Sequence, residues 1–178
     1  ASAVPPPSAA PEPPRDAVPG PAQSDGPQTP PTAVRVPALG LSAPVVAVGV
    51  APDGQTEVPP DGRTVGWYRF GPQPGAPAGS AVLVGHVDTA DGRLGEFAKL
   101  DGIKTGDRVL VQRAGDAAPL AYRVTRAETT AKSGFPAADI FRRAGPPQLV
   151  LVTCGGSYDR QAGGYQANFV VTAVPEAP

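Results

Sequence analysis

The chain has 178 residues, a formal net charge of −1, and charged side chains spread evenly along its length. This length suits one ordinary domain, and the charge pattern excludes a nucleic-acid footprint or a polybasic membrane patch. No apolar run approaches the roughly 20 residues that span a bilayer, and no signal peptide is present. We therefore interpret the sequence as one whose preceding segment is missing.

The first 31 residues differ in composition from the rest. They hold eleven of the 25 prolines, no aromatic residue, and two valines as the only sizeable apolar side chains. Such a segment cannot bury enough surface to offset its ordering entropy, so residues 1–31 are predicted to be a disordered or extended Pro/Ala linker. The globular domain is then expected to cover residues 32–174, followed by a short tail at 175–178.

The first half of this domain predicts short strands separated by turn signals. Residues 34–37, 43–50 and 80–86 are apolar or β-branched runs, and the aromatic run 65–70 fits either a strand or a loop. Residues 87–99 are mostly polar, and one helical turn is expected at 97–100. The polar segment is expected to form a wall of any site near residue 86.

The second half continues the same pattern. Strands are predicted at 108–113, 120–128, 149–153 and 168–174, and Tyr122, Val124 and Arg126 are expected to share one strand face. A long loop is predicted at 129–147, with a short helix at 137–143, and a second loop at 155–164. No segment keeps a helical period over 11 residues, so an all-β barrel or sandwich of seven or eight strands is expected.

Two of the predicted strands end on residues that occur once in the chain. The aliphatic run 149–152, which predicts a strand buried on both faces, leads to the only cysteine, Cys154, before two glycines. The run 81–84 leads through Gly85 to the only histidine, His86. A single cysteine excludes an internal disulfide and leaves a thiol that is either buried and inert or reactive.

A cysteine attacks a carbonyl as the thiolate, and histidine is the side chain best suited to take its proton at neutral pH. Each residue alone is more often structural, and only the pairing of the two strand ends favours a catalytic Cys154–His86 pair. One cysteine and one histidine at no recognisable metal-ligand spacing predict neither a metal nor another cofactor.

Several short runs follow one another in a distinctive order. They are upstream 34–37, 43–46 and 65–68, then Val-Gly-His-Val-Asp-Thr at 84–89, Gly-Glu-Phe at 95–97 with Leu100, Gly-Asp at 106–107 and Leu-Val-Thr-Cys-Gly-Gly at 151–156. Together these runs resemble the sortases, cysteine transpeptidases of Gram-positive bacteria that attach proteins to the cell wall or link pilins. The Thr-Cys-Gly-Gly form, with Tyr165 and Asn168 after it, is closest to the class F sortases of actinobacteria.

The resemblance implies a closed eight-stranded sortase-type β-barrel with short helical turns, long loops and an active site at its rim. Cys154 would attack the carbonyl after Thr in a Leu-Pro-x-Thr-Gly-like sorting signal and form a thioacyl enzyme. His86 would act as general acid and base, and Thr153 would contact the substrate backbone. The implied partners are surface proteins that bear the signal and an amine of peptidoglycan or a pilin.

The same resemblance implies a monomer at the extracellular face of the cell membrane, anchored by an N-terminal segment absent from this sequence. The family also uses an arginine on or beside the last strand to stabilise the oxyanion. Here Asn168 stands before the final apolar run, and Arg160 is the predicted catalytic arginine. Arg160 could equally be a solvated loop charge. Asn168 could donate its amide to the oxyanion or cap a turn. Asp88 could orient His86 or be an ordinary turn residue.

Two other functions stay open at this point. A cysteine hydrolase on the same scaffold would cleave peptides without transfer to an amine, although papain-like peptidases place cysteine before histidine, the reverse of the order here. A non-catalytic β-barrel binding module would leave Cys154 unreactive.

Overall fold

The structure, a computed structural model, describes residues 29–49, 63–85, 95–131, 137–159 and 164–176. The strands in this part of the chain close into an all-β barrel of eight, which confirms the expected fold class. Around the barrel the order is β1-β2-β3-β4-β7-β8-β6-β5, and β5 pairs with β1. The strands are β1 (Pro31–Val36), β2 (Leu41–Val48), β3 (Val65–Tyr68), β4 (Ser80–Val84), β5 (Arg108–Arg113), β6 (Leu120–Ala131), β7 (Gln148–Asp159) and β8 (Gly164–Pro175).

Most neighbouring strands are antiparallel, and the pairs β2–β3 and β4–β7 are parallel. The helical elements in the described ranges are two 3-10 helices, Pro37–Leu39 and Glu96–Gly102, and the short α-helix α1 (Ala137–Ile140). The turn expected at 97–100 is thus a longer 3-10 helix, and the helix expected at 137–143 ends at Ile140. Within the described residues no helix is long and apolar enough to cross a membrane.

One hydrophobic core fills the barrel. Alternate residues along each strand face inward. The inward series of β7 begins with Leu149 and Leu151, whose side chains are fully buried. The 3-10 helix Glu96–Gly102 contributes two more buried side chains, Phe97 and Leu100, to the same core.

A second hydrophobic cluster covers the outer face of β4, β7 and β8. The other alternate residues of β7, Val150 and Val152, belong to it. Both series of β7 are therefore buried, which confirms the prediction made from the unbroken aliphatic run at 149–152. The cluster consists of Val48, Tyr68, Val82, Val84, Ile140, Phe141, Val150, Val152 and Val170.

The prediction for β6 was wrong in one detail. Tyr122 and Val124 are buried, whereas Arg126 is exposed. The cause is a register shift against β8, where Val124 pairs with Ala173 and Arg126 already pairs with Thr172. An extra residue on one strand is a β-bulge, and it moves every later side chain to the opposite face.

The loops predicted at 129–147 and 155–164 are both shorter than expected. β6 continues to Ala131, and β7 and β8 pair beyond Cys154 as far as Asp159 and Gly164. Gly155 pairs with Ala167 and Tyr158 with Tyr165, so a register shift between these two pairs leaves one extra residue on β7. Residues 155–159 therefore belong to a long β-hairpin instead of an open loop.

Candidate active site

The parallel pairing of β4 and β7 brings the end of β4 beside the part of β7 that precedes Cys154. Val84 is the register partner of Val152, and the backbone N–H of Gly85 donates a hydrogen bond of 3.2 Å to the Val152 carbonyl. Gly85 directly precedes His86 in the chain, and Val152 is two residues before Cys154. Because the pairing is parallel and in register to this point, the residue that precedes the single histidine lies beside the part of β7 that leads to the single cysteine.

Three of the predicted site residues, His86, Asp88 and Arg160, lie outside the described residues. The backbone of Cys154 is described as part of β7, and its side chain is not. The proposed partnership of the thiol, imidazole and guanidinium groups therefore stays a prediction.

A row of residues crosses three strands at the level of Cys154. Asn168 of β8 is its register partner, and Thr130 of β6 is the register partner of Asn168. Directly opposite residues in antiparallel strands point to one face, with Cβ atoms about 4.5–5.5 Å apart. The row therefore places Asn168 next to the cysteine position and Thr130 one strand further away.

Asn168 is half-buried, and its carboxamide has no hydrogen-bond partner among the described residues. The Thr130 hydroxyl donates to the Asn168 backbone carbonyl at 3.5 Å, which ties the two strands together. Thr130 was missed at the sequence level because residues 38 positions apart become neighbours only through the order of strands in the barrel.

Thr153 belongs to the inward series of β7 with Leu149 and Leu151. Its side chain is 4% exposed, and its Oγ1 has no hydrogen-bond partner in the described structure. A buried hydroxyl without a partner costs about 1–3 kcal/mol of stability. Buried polar groups of this kind are rare, and active sites are one place where they occur. A substrate contact by Thr153 stays a prediction.

The opposite end of β4 and β7 holds a second polar cluster. The Arg143 guanidinium donates to the Phe70 carbonyl, and burial lowers the pKa of Arg143. Burial raises the pKa of the nearby Tyr68 phenol to about 12, although the charge of Arg143 acts in the other direction. The Ser80 N–H donates to the Arg142 carbonyl, and Ser80 is the register partner of Gln148, so the backbone at Arg142 lies at the level of Gln148. At about 3.3 Å per residue, the six residues from Gln148 to Cys154 correspond to about 20 Å. Arg143 is therefore no part of the candidate site.

Among the described residues, no group of three or more histidine, cysteine, aspartate or glutamate side chains lies close enough together to hold a metal ion.

The model of the sortase domain matches residues 34–176. The chain therefore belongs to the sortase family, whose members are cysteine transpeptidases. A search among curated proteins found no match.

Several solved structures share the fold. Sortase C1 of Streptococcus agalactiae is 22% identical with a TM-score of 0.62, over 82% of this chain and 66% of that one. Sortase C-1 of Actinomyces oris is 22% identical with a TM-score of 0.62, over 84% and 76% of the two chains. The sortase D5 transpeptidase of Clostridium perfringens is 16% identical with a TM-score of 0.59, over 83% and 79%.

At these identities the likeness concerns the fold, and the match spans just under two thirds of the Streptococcus agalactiae chain. These three neighbours are class C and class D sortases. The resemblance to class F sortases of actinobacteria stays a prediction.

Proposed function

We propose that this chain is a sortase transpeptidase that cleaves a Leu-Pro-x-Thr-Gly-like sorting signal between Thr and Gly. Cys154 is the nucleophile, and His86 is the general acid and base. The observation that carries the proposal is the parallel β4–β7 pairing, which extends to the hydrogen bond from Gly85 to Val152. The hydrogen bond joins the residue before the only histidine of this sortase-family chain to a residue two positions before its only cysteine, which supports the proposed pair.

In the first half-reaction the Cys154 thiolate attacks the carbonyl carbon of the threonine. A C–S bond forms, and the carbonyl electrons move to oxygen, which becomes an oxyanion. When the oxyanion collapses, the C–N bond to glycine breaks and His86 donates a proton to the leaving amine. The product is a thioester between Cys154 and the threonine carbonyl.

In the second half-reaction an amine attacks the thioester carbon while His86 accepts its proton. The C–S bond then breaks, which releases the new amide and restores the thiolate. The proposed amine belongs to peptidoglycan or to a pilin lysine, and the proposed substrates are surface proteins that carry the signal. We place the enzyme at the extracellular face of the cell membrane.

The oxyanion requires a hydrogen-bond donor near the attacked carbonyl. We propose Asn168 as one donor because it is the register partner of Cys154, and because its carboxamide N–H groups have no hydrogen-bond partner among the described residues. Arg160 is the proposed cationic donor, since it follows Cys154 by six residues in the sequence. Asp88, two residues after His86, is proposed to orient the imidazole, and the Thr153 hydroxyl to contact the substrate backbone.

The ratio of transfer to hydrolysis tests this function against a simple hydrolase. The protein is incubated with a Leu-Pro-x-Thr-Gly peptide and increasing amounts of a glycine-based amine, and both products are measured by mass spectrometry. We expect an amide product that grows with amine concentration, and none with Cys154→Ala. If the only product at every amine concentration is the peptide acid that ends in threonine, the protein is a hydrolase. An unreactive thiol would indicate a binding module.

A further inference from the structure

Gly85 occupies a position at the end of β4 where no side chain fits. A Cβ atom built there would lie 2.7 Å from Cδ2 and 2.9 Å from Cγ of the Phe97 ring. The closer distance is 0.7 Å less than the 3.4 Å at which ordinary contact begins. Gly85 does not have a positive φ angle, so glycine is required by the ring and not by the backbone conformation.

The Phe97 ring is held firmly in place. It is 1% exposed and belongs to the core inside the barrel. Its 3-10 helix, Glu96–Gly102, is attached to β2 because Glu96 Oε2 accepts a hydrogen bond of 2.9 Å from the Ser42 backbone N–H. Lys99 adds a hydrogen bond of 3.3 Å to the Gly40 carbonyl at the turn before β2. The ring therefore has little freedom to withdraw from Gly85.

Gly85 is thus held from two directions. The Phe97 ring packs against it from the barrel interior, and the Val152 carbonyl accepts its N–H from β7. These two contacts define where the backbone is when it leaves β4. The next residue in the chain is His86.

We propose that Phe97 is a positioning residue, whose contact with Gly85 sets the placement of His86 relative to Cys154. The proposal rests on the proposed function, in which His86 exchanges protons with the substrate amine. Misplacing a catalytic group by about 1 Å can lower a rate by about 100-fold. A change in the contact at Gly85, one residue before His86, is expected to move the histidine by a distance of this order.

The test is a cycle of variants at the two contacting positions. Gly85→Ala forces the ring and the strand end apart, and we expect kcat to fall about 10- to 100-fold with KM changed less than about threefold. Phe97→Leu removes the ring atoms that meet the new methyl group. We therefore expect the Gly85→Ala, Phe97→Leu double variant to recover at least about fivefold in kcat over Gly85→Ala alone.

Gly102→Ala is the matched control. It lies in the same 3-10 helix, and its Cβ would meet only the flexible end of Leu39, at 3.3 Å. We expect its kcat to equal that of the wild type. A loss of activity in this control equal to that of Gly85→Ala would overturn the proposal, because it would show a general sensitivity of the helix.

A second measurement does not depend on transpeptidation. His86 is the only histidine, so its imidazole signals can be assigned directly in an NMR titration of the whole protein. We expect Gly85→Ala to change the chemical shifts and the titration midpoint of His86, and the double variant to restore them. If the wild type fails to transfer peptides, the proposed function fails while this measurement still decides the positioning role.

Unchanged kcat and unchanged His86 signals in Gly85→Ala would overturn the inference, as would a double variant no better than Gly85→Ala. If Gly85→Ala does not fold, the Phe97→Leu single variant tests the positioning role of Phe97. Loosening the contact must then lower kcat and alter the His86 signals, and wild-type values for both would contradict the proposal.

Discussion

The cysteine of this chain has an asparagine directly across the sheet, where the family resemblance leads one to expect an arginine. Asn168 is the register partner of Cys154, and its side-chain amide has no hydrogen-bond partner in the described structure. A neutral amide can stabilise an oxyanion by donating a hydrogen bond, although it brings no positive charge. The division of this role between Asn168 and Arg160 is measurable.

We expect Asn168→Ala to lower kcat about 100-fold or more with little change in KM, because removing one oxyanion donor typically costs 10²–10³ in rate. Thr130→Val is the matched control, since it removes only the 3.5 Å hydrogen bond to the Asn168 backbone and is expected to have a much smaller effect. Steady-state kinetics on a sorting-signal peptide provide the measurement. Wild-type kcat in Asn168→Ala, with a large loss in Arg160→Ala, would assign the oxyanion to Arg160 alone.

The hydroxyl of Thr153 allows a test that separates stability from function. Its Oγ1 is buried and has no hydrogen-bond partner among the described residues, so Thr153→Val keeps the shape and is expected to raise the free energy of unfolding by about 1 kcal/mol. If the hydroxyl contacts the substrate, the same variant has a lower kcat/KM. Chemical denaturation and peptide turnover measure the two effects.

Tyr68→Phe is the control for this prediction. Its Oη is also buried and has no hydrogen-bond partner in the part of the chain that the structure describes, but it lies towards the opposite end of β4 and β7. We expect a similar gain in stability and unchanged turnover. A Thr153→Val variant that is more stable and fully active would remove Thr153 from the substrate contacts.

Sequence patterns located some of these residues and not others. Cys154 and His86 were identifiable because each follows an apolar run that needs no partner strand to be recognised. The adjacency of Asn168 and Thr130 was not, because it depends on β6 and β8 being neighbours in the closed barrel. The exposed position of Arg126 was missed because a bulge at residue 125 reverses the alternation and leaves no clear trace in residue types.

At the scale of elements, the β7–β8 hairpin differs most from expectation. Gly155 and Gly156 are typical of a turn, yet the backbone pairing continues past them to Asp159 and Gly164. Glycine lacks a side chain to stabilise a strand, so local propensity underestimates pairing that the neighbouring strand enforces. Cys154 therefore lies within a hairpin instead of at a strand terminus.

The attachment of the 3-10 helix Glu96–Gly102 to β2 predicts a pH effect on stability. Partial burial raises the pKa of Glu96, but hydrogen bonds from Ser42 and Lys99, and the charges of Lys99 and Arg63, together lower it below its ordinary value of 4.5. A lowered pKa in the folded state means that ionised Glu96 stabilises the fold above about pH 4.5. This contribution is lost as the pH falls through the lowered folded pKa.

We therefore expect Glu96→Gln to be slightly less stable than the wild type at pH 7, by about 1 kcal/mol or less because the ion pair with Lys99 is solvent-exposed. The difference should shrink steadily below pH 4.5. Denaturation curves from pH 7 to pH 3 measure it, and the lowered pKa of Glu176 affects both proteins alike. A difference that stays constant over this range would contradict the account.

At the scale of the whole molecule, the fold class followed from the sequence because short β-branched runs and frequent turn signals allow few architectures. Barrel closure followed only from the family resemblance, and the order of the strands was not predicted. Residues before β1 also take part in the domain: the Thr29 N–H donates to Gln73 Oε1 at 2.6 Å, and the Pro30 carbonyl accepts from Ala114 at 3.0 Å. These contacts indicate that the chain can be shortened up to Thr29 without loss of contacts to the barrel.

We expect a chain beginning at Thr29 to keep the thermal midpoint and peptide turnover of the full chain, because it retains both contacts and removes only the Pro/Ala-rich segment. A chain beginning at Thr32 removes both contacts and is expected to unfold at a lower temperature. Loss of turnover in the Thr29 chain, with an unchanged melting temperature, would show that the removed segment takes part in catalysis.

The central claim is that Cys154 carries the acyl group during transfer. Because the chain has one cysteine, intact-protein mass spectrometry after mixing with a Leu-Pro-x-Thr-Gly peptide tests it directly. We predict an adduct equal to the peptide up to its threonine, absent in Cys154→Ala and discharged when a glycine amine is added. An adduct that persists in Cys154→Ala, or peptide transfer by that variant at the wild-type rate, would contradict the account.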